Sequence, residues 1–245
     1  VAITRAVMQA ESAGLEPPRW ARPVIVLSIP WAVSIHTVTA FLYSGLPGRS
    51  FWLTALLAPR FLASAFAAGP ALLILLAMLL RRLTRFDPGP CAIPALALVV
   101  TYATAVSVFF MAVEAFTVLY SQIPEHVEHF RYLFGGLDGH AGLVAWSWAS
   151  VALVVFALAL LLVPSRRRDE ATLAVAASLV FVSLWIEKGL MLVVGGFVPS
   201  PLGAVTAYAP TAVEIGITAG IWAVGTGMVT VFFKIAAGTR QDRTA

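Results

Sequence analysis

Six ionisable side chains interrupt the long apolar runs of this sequence or lie at their rims. They comprise one histidine, two bases and three acids: His36, Arg60, Lys188, Glu114, Glu187 and Glu214. An ionisable group at membrane depth is costly and is therefore a functional candidate by default. Carboxylates and histidine can accept and release protons, whereas arginine and lysine can hold the acids in place. The set predicts a polar site within an apolar protein.

The composition indicates an all-α polytopic membrane protein. Sixty per cent of the 245 residues are hydrophobic, 11% are charged, and the mean hydropathy is +0.91. A soluble domain would carry roughly a quarter charged residues, and a transmembrane barrel would alternate over segments of about ten residues. The net charge of +4 is explained by topology and does not indicate nucleic-acid binding.

Six apolar runs have the length of a membrane-spanning helix, which needs about 20 residues. They cover residues 23–45, 59–80, 93–120, 142–163, 171–194 and 211–235. We therefore expect an N-terminal segment at 1–21, a transmembrane domain at 22–235 and a tail at 236–245. Residues 121–141 are interpreted as a polar loop. Because the chain starts without methionine, we expect it to be a fragment that lacks upstream helices.

The basic residues predict the orientation of these spans. Twelve of the 16 lie before span one or after spans two, four and six, which share one side if the helices alternate. By the positive-inside rule, that side and both observed ends are cytoplasmic, which places the chain in the inner membrane. The six ionisable side chains then fall in the outer half. This asymmetry predicts a polar pocket open to the outer face and argues against a complete proton channel within these helices.

Several of these side chains also have simpler interpretations. Arg60 and Glu214 lie near the rim and are expected to snorkel to water, and His36 is as consistent with helix packing as with ligand binding. Glu114, Glu187 and Lys188 lie deeper. One possible arrangement pairs Lys188 with Glu114 and leaves Glu187 free.

The histidines of the 121–141 loop are a second candidate set: His126, His129 and His140. The His126-x-x-His129 spacing would place two metal ligands on one helical face. We interpret them instead as solvated residues at a docking surface, and we predict no metal site. The single cysteine, Cys91, cannot form an internal disulfide or hold an iron–sulfur cluster.

Three stretches resemble the NrfD/polysulfide reductase membrane subunits, closest to the DsrP-type or Hmc-like branch. They are PWAVSIHTVTAF at 30–41, APRFLASAFAAGP at 58–70 and WIEKG at 185–189. The resemblance extends over the chain from Arg22 to Ile235. It implies an NrfD-like bundle of eight to ten helices without haem, whose quinone pocket lies toward the periplasmic side.

The resemblance implies electron exchange between menaquinone or ubiquinone and a periplasmic iron–sulfur subunit, within a multi-subunit complex of sulfur metabolism. The chain would be a quinone-interacting subunit of an oxidoreductase, with no redox centre of its own. His36, Arg60 and Lys188 are the predicted quinone-binding residues. Glu114, Glu187 and Glu214 are the predicted proton relays, although no residue is assigned as catalytic with certainty.

Two other functions remain open from the residues alone. The chain could be a non-redox membrane anchor or a proton- or ion-translocating module, with the polar cluster as half of an ion path. It could also be a b-type cytochrome, but bis-histidine haem ligation needs two histidines at membrane depth and only His36 qualifies.

Overall fold

The computed structural model describes residues 19–84 and 88–241. Within these ranges the protein is all-helical and contains no strand, as predicted. Most of the predicted N-terminal segment (1–18), the end of the predicted tail (242–245) and residues 85–87 lie outside the described residues.

Eight α-helices follow one another along the described chain. They are α1 Ala21–Ser44, α2 Leu57–Leu83, α3 Ala92–Ser121, α4 Pro124–Phe134, α5 Val144–Leu162, α6 Pro164–Arg168, α7 Glu170–Ile186 and α8 Ala212–Gln241. A 3-10 turn at Ser50–Trp52 precedes α2. Helix α7 continues into a π-helix, Glu187–Val194, and a final α-turn, Gly195–Phe197.

Six of these helices are long and apolar enough to cross a membrane, which confirms the predicted number of spans. They are α1, α2, α3, α5, α7 with its extension, and α8. Their bounds differ from the predicted ones by at most three residues. Helix α8 runs past the predicted domain boundary at 235 as far as Gln241.

The chain divides into two compact units. Of the described residues, 35–84 and 88–208 form one unit, and 19–34 with 209–241 belong to the other. In the second unit, the side chains of residues 212–234 of α8 are exposed, with Phe233 half-buried. The first unit, called the central unit below, contains five of the six predicted site residues.

Four helices form a ring in the central unit. Helix α2 packs against α3 and α7, and α5 packs against α7 and, less extensively, against α3. The chain reverses direction between successive members of the ring. The two ends of the ring carry different residues. At the end called the basic end, α6 contributes Arg166, Arg167 and Arg168, and Arg81 pairs with Glu170. The opposite end is called the α4 end.

An apolar core fills the ring toward its basic end. Its fully buried members are small or branched aliphatic residues: Ala67, Ala71, Ile74, Val100, Ala157, Leu161, Ala177 and Val180. Small residues let helix backbones approach closely in a membrane. Above this core, Ser150 and Ser183 each donate a hydroxyl hydrogen bond to the other's carbonyl, which fixes α5 against α7.

The α4 end is closed by a helix where the sequence predicted a loop. Helix α4 has proline at its first position and Glu125 in its first turn, both of which favour a helix start. Its buried residues, His129, Tyr132 and Leu133, recur at i, i+3 and i+4 and therefore share one face. The interpretation of residues 121–141 as a polar loop was wrong for these eleven residues.

Candidate functional site: a charged cluster on the wall of an apolar cavity

Arg60 is the centre of a buried group of charges at the α4 end of the ring. Its Nη1 donates to Glu114 Oε2, and its Nη2 donates to Glu187 Oε1 at 2.5 Å. Lys188 Nζ lies 3.1 Å from the same Glu187 oxygen. The planar guanidinium presents donors in a fixed fork, which suits the bridging of two carboxylates. We call Arg60, Glu114, Glu187 and Lys188 the charged cluster.

The charged cluster corrects the expectation for Arg60 and differs from the one possible pairing that the sequence suggested. Arg60 does not snorkel to water, because its side chain is only 8% exposed and is held by two acids. Lys188 pairs with Glu187 and not with Glu114. Glu187 is not free, because it contacts both cations.

Two helices and a π-helix position the cluster. Arg60 lies in the first turn of α2, and Glu114 lies on α3 about 10 Å before its end, at 1.5 Å of rise per residue. Glu187 is the first residue of the π-helix. A π-helix changes the direction in which successive side chains point and is frequent at functional sites. Lys188 reaches back to Glu187 and holds its Nζ 4.9 Å from the centre of the Phe61 ring.

The C-terminal end of the π-helix and the α-turn after it are held by contacts from elsewhere in the chain. Trp52 is completely buried and donates its Nε1 hydrogen to the Leu192 carbonyl at 2.9 Å. Arg49 donates to the Phe197 carbonyl at 2.8 Å and stacks over the Phe197 ring. Both donors satisfy carbonyls near a helix C-terminus, where cationic and polar donors stabilise the helix.

A cavity of about 730 Å³ opens beside the charged cluster, between α3, α5, α4 and the π-helix. Arg60, Glu114 and Glu187 lie on its wall. Most of the remaining wall is apolar, with contributions that include Met111, Ala115, Val118, Phe130, Leu133, Phe134, Trp148, Val151, Met191 and Leu192. Volumes of about 300–1,000 Å³ are typical of small-molecule sites, which combine apolar walls with a few polar groups. This cavity has that character.

The other predicted site residues lie apart from the cavity wall. His36 is half-buried on α1, and neither it nor Lys188 lines the 730 Å³ cavity. Glu214 belongs to the second unit, where it caps the start of α8. It accepts hydrogen bonds from Thr211 N and Oγ1, and Thr211 Oγ1 accepts from Glu214 N. This reciprocal pair is a capping box.

His129 has a structural position that the sequence interpretation missed. Its exposed fraction is 5%, so it is not a solvated loop residue. Its Nδ1 lies 2.8 Å from the Gly195 carbonyl and 3.1 Å from the Val198 carbonyl, and its Nε2 lies 3.2 Å from Ser50 Oγ. Because carbonyls only accept, Nδ1 carries the proton and Nε2 accepts from Ser50. Burial lowers the pKa of His129, because its surroundings disfavour the charged ring.

A helical interpretation of residues 124–134 would have revealed this position. His129, Tyr132 and Leu133 follow helical spacing, and Pro124 signals a helix start. Among the described residues, His126, His129 and His140 do not form part of any group of three possible metal ligands.

The fold and the site define a class: a multi-pass helical membrane protein with a buried ion cluster beside an apolar cavity. Residues 4–200 match the family described as Polysulphide reductase, NrfD, and the chain belongs to that family. This confirms the resemblance to the NrfD/polysulfide reductase membrane subunits, while the DsrP-type branch stays a prediction. A Halobacterium salinarum protein, provisionally named as a membrane subunit of dimethyl sulfoxide reductase, is 28% identical over 228 residues. The alignment covers 82% of this chain and 49% of that protein, so the chain spans about half the relative's length.

Proposed function

We propose that this chain is the quinone-exchanging membrane subunit of a reductase complex, and that the 730 Å³ cavity is its quinone site. One observation carries the proposal: an apolar cavity of ligand size has the Arg60-bridged carboxylates on its wall. Family membership supports a redox role for a membrane subunit. Menaquinone and ubiquinone are both compatible with the apolar wall.

The cavity residues fit the chemical groups of a quinone. The apolar side chains of α3, α5 and α4 would surround the ring and the start of the isoprenoid tail, and Trp148 and Phe134 offer flat aromatic surfaces. Arg60 provides N–H donors for a ring oxygen, and Glu114 and Glu187 provide acceptors for a ring hydroxyl. Of the three residues predicted to contact the quinone, Arg60 is the one that lines this cavity. The roles of His36 and Lys188 stay predictions, as does that of Glu214.

A quinone supplies two-electron chemistry coupled to two protons, and the chain's own residues manage the protons. Glu114 is held by one cation, whereas Glu187 is held by two. Neutralising Glu114 therefore breaks fewer ion contacts, and Glu114 Oε2 is the atom that takes up a proton and gives up its contact with Arg60. Arg60 stays attached to Glu187 and keeps the site in place during the exchange.

The electrons require a redox centre on another subunit in this proposal. The sequence contains one cysteine, so we assign the electron partner to a periplasmic iron–sulfur subunit within a multi-subunit complex. The name of the relative, a membrane subunit of a reductase, supports such an assembly. A DsrP-like role in sulfur metabolism, an inner-membrane location and cytoplasmic chain ends belong to the same proposal.

Binding of a fluorescent quinone analogue to the full-length protein in its purified complex tests the cavity. Heptyl-hydroxyquinoline N-oxide should bind the wild type saturably. Ala115→Trp places an indole in the cavity and should weaken binding at least about tenfold, which corresponds to roughly 1.4 kcal/mol. Ala95→Trp is the matched control, because Ala95 is an exposed residue of the same helix that does not line the cavity.

The possible results separate the functions. Equal binding by Ala115→Trp and the wild type would show that the quinone does not bind in this cavity. Absence of binding by the wild type would favour the anchor or ion-translocating function, in which the charged cluster forms half of an ion path.

A further inference from the structure

A second, smaller cavity of about 260 Å³ shares Glu114 in its wall with the 730 Å³ cavity. It is bounded by the loop before α2, the end of α3 and the start of α4. Its polar lining residues are Thr54, Glu114, Thr117, Ser121 and His126. Glu114 is the only ionisable residue that lines both this cavity and the 730 Å³ cavity within the described chain.

The polar residues of the second cavity lead away from Glu114 toward the surface. Glu114, Thr117 and Ser121 are spaced i, i+3 and i+7 on α3 and therefore lie along one face of the helix. Glu114 is buried, His126 is half-buried, and Thr117 and Ser121 are exposed. The line thus runs from the buried carboxylate of Glu114 to exposed residues at the C-terminal end of α3.

The second cavity has room and partners for water. A water molecule occupies about 30 Å³ of liquid and needs two to four polar partners, so the cavity can hold several. Thr54 Oγ1 accepts from Leu56 N, which leaves its hydroxyl hydrogen available to donate. Thr117 donates to the Val113 carbonyl, which leaves its oxygen available to accept. Hydroxyls of both kinds can order a water chain between Glu114 and His126.

We propose that the second cavity is the proton exit of the site, and that His126 is the residue that exchanges the proton with bulk water. The inference rests on the proposed function. Oxidation of one quinol releases two electrons, which go to the partner subunit's redox centre, and two protons. Glu114 accepts a proton from the 730 Å³ cavity, passes it through ordered water to the His126 ring nitrogen, and His126 releases it to solvent. Each transfer regenerates the Glu114 carboxylate before the next proton arrives.

His126 suits this role better than the other histidines of the same region. His129 has both ring nitrogens occupied by Gly195, Val198 and Ser50 and is buried. His140 lines neither cavity. His126 combines a place in the lining of the second cavity with partial access to solvent, and histidine exchanges protons at neutral pH.

The test is quinol oxidation by the full complex, with added imidazole as a proton carrier. His126→Ala should lower the turnover rate by about tenfold or more, a modest effect for a positioned proton-transfer group. Millimolar imidazole should restore much of the rate, because a small base can occupy the space left by the side chain. His140→Ala is the control and should keep the wild-type rate with or without imidazole.

Two further measurements keep the inference distinct from the proposed function. The affinity for the quinone analogue should be the same in His126→Ala and the wild type, and Thr117→Val should slow turnover without changing that affinity. A wild type that neither binds the analogue nor oxidises quinol would overturn the proposed function itself. Normal turnover in His126→Ala, or a slow rate that imidazole does not restore, would overturn the proton exit while leaving the quinone site intact.

Discussion

The two ends of the four-helix ring are built from the same helices but are packed differently. Toward the basic end, alanines and branched aliphatics fill the interior, and the charges lie outside on helix ends. Toward the α4 end, three buried charged side chains and two cavities interrupt the packing. The first arrangement maximises contact between helices, and the second sacrifices contact to leave room for a ligand and water.

An arginine at each end of α2 pairs with glutamate, and the two sets of ion pairs differ in their exposure to water. Arg81 and Glu170 are exposed at the basic end, where water screens the pair and the contact contributes little. Arg60 and its two acids are buried, so removing their charges from water costs several kcal/mol per ion unless the partners compensate. A cluster that is expensive to bury is expected where the charges perform a function.

Replacing Arg60 should give the largest loss of stability, because it removes the cation that joins the two buried acids at the α4 end. Arg60→Met leaves Glu114 and Glu187 buried with Lys188 as their remaining cation in the cluster. Removing one partner of a buried ion pair typically costs about 3–5 kcal/mol. We expect a loss of that size in the free energy of unfolding, measured by denaturant titration in detergent, together with loss of quinone-analogue binding.

Arg81→Met is the matched control for Arg60→Met, because it removes the same charge from the same helix. It should change stability far less, since its partner Glu170 remains solvated. The triple replacement of Arg60, Glu114 and Glu187 by Met, Gln and Gln should recover part of the lost stability but not the binding. Equal destabilisation by the two arginine replacements would show that burial does not distinguish the ends.

Replacing Gly196 should give the next largest loss of stability, because it disturbs Trp52, which holds the C-terminal end of the π-helix. A Cβ atom at Gly196 would overlap the Trp52 ring, which is fully buried and bonded to Leu192. The indole must shift and lose that hydrogen bond. Overpacking of this kind typically costs about 1–3 kcal/mol, so Gly196→Ala should lower the unfolding free energy by about that amount.

Gly189→Ala tests whether the effect of Gly196→Ala is local. Gly189 lies within the π-helix, whereas Gly196 lies in the α-turn that follows it, and a Cβ at Gly189 would have nothing within 4 Å. An alanine in a helix is favoured over glycine by about 0.5–1 kcal/mol, so this variant should be neutral or slightly more stable. If both variants lost a similar amount of unfolding free energy, the cause would be a general sensitivity of this segment to substitution and not the contact with Trp52.

The spans and the asymmetric placement of charges were predictable from the sequence because both are local properties. A run of about 20 apolar residues identifies a span wherever it packs, and the clustering of basic residues at alternate span ends can be counted directly in the sequence. The four members of the charged cluster were accordingly identified as candidates, and the predicted span bounds lie within three residues of the observed ones.

The partners of Arg60 were not predictable from the same information. Arg60 and Glu187 are 127 residues apart, and their contact depends on the register of α2 against α7. The π-helix adds a local change of direction that no hydropathy pattern encodes. His129 was missed for a different reason: α4 is only eleven residues long and its buried face includes a histidine, so its polar composition concealed a helix.

The smallest predicted effect is a pH dependence that His129 gives to the α4 end. Burial holds the pKa of His129 below its ordinary value of 6.5, so the ring stays neutral where an unfolded chain would be protonated. Above pH 6.5 the ring is neutral in both states and contributes no slope. As the pH falls below 6.5 the unfolded state binds the proton first, and the free energy of unfolding should decrease by up to about 1.4 kcal/mol per pH unit. The decrease should stop at the folded-state pKa.

His129→Asn keeps a donor toward the Gly195 carbonyl but cannot titrate. Its unfolding free energy should therefore lack this part of the pH dependence, whereas that of His126→Gln should keep it. An unchanged slope in His129→Asn would assign the acid sensitivity to other groups and leave His129 as a pH-independent link between α4 and the end of the π-helix.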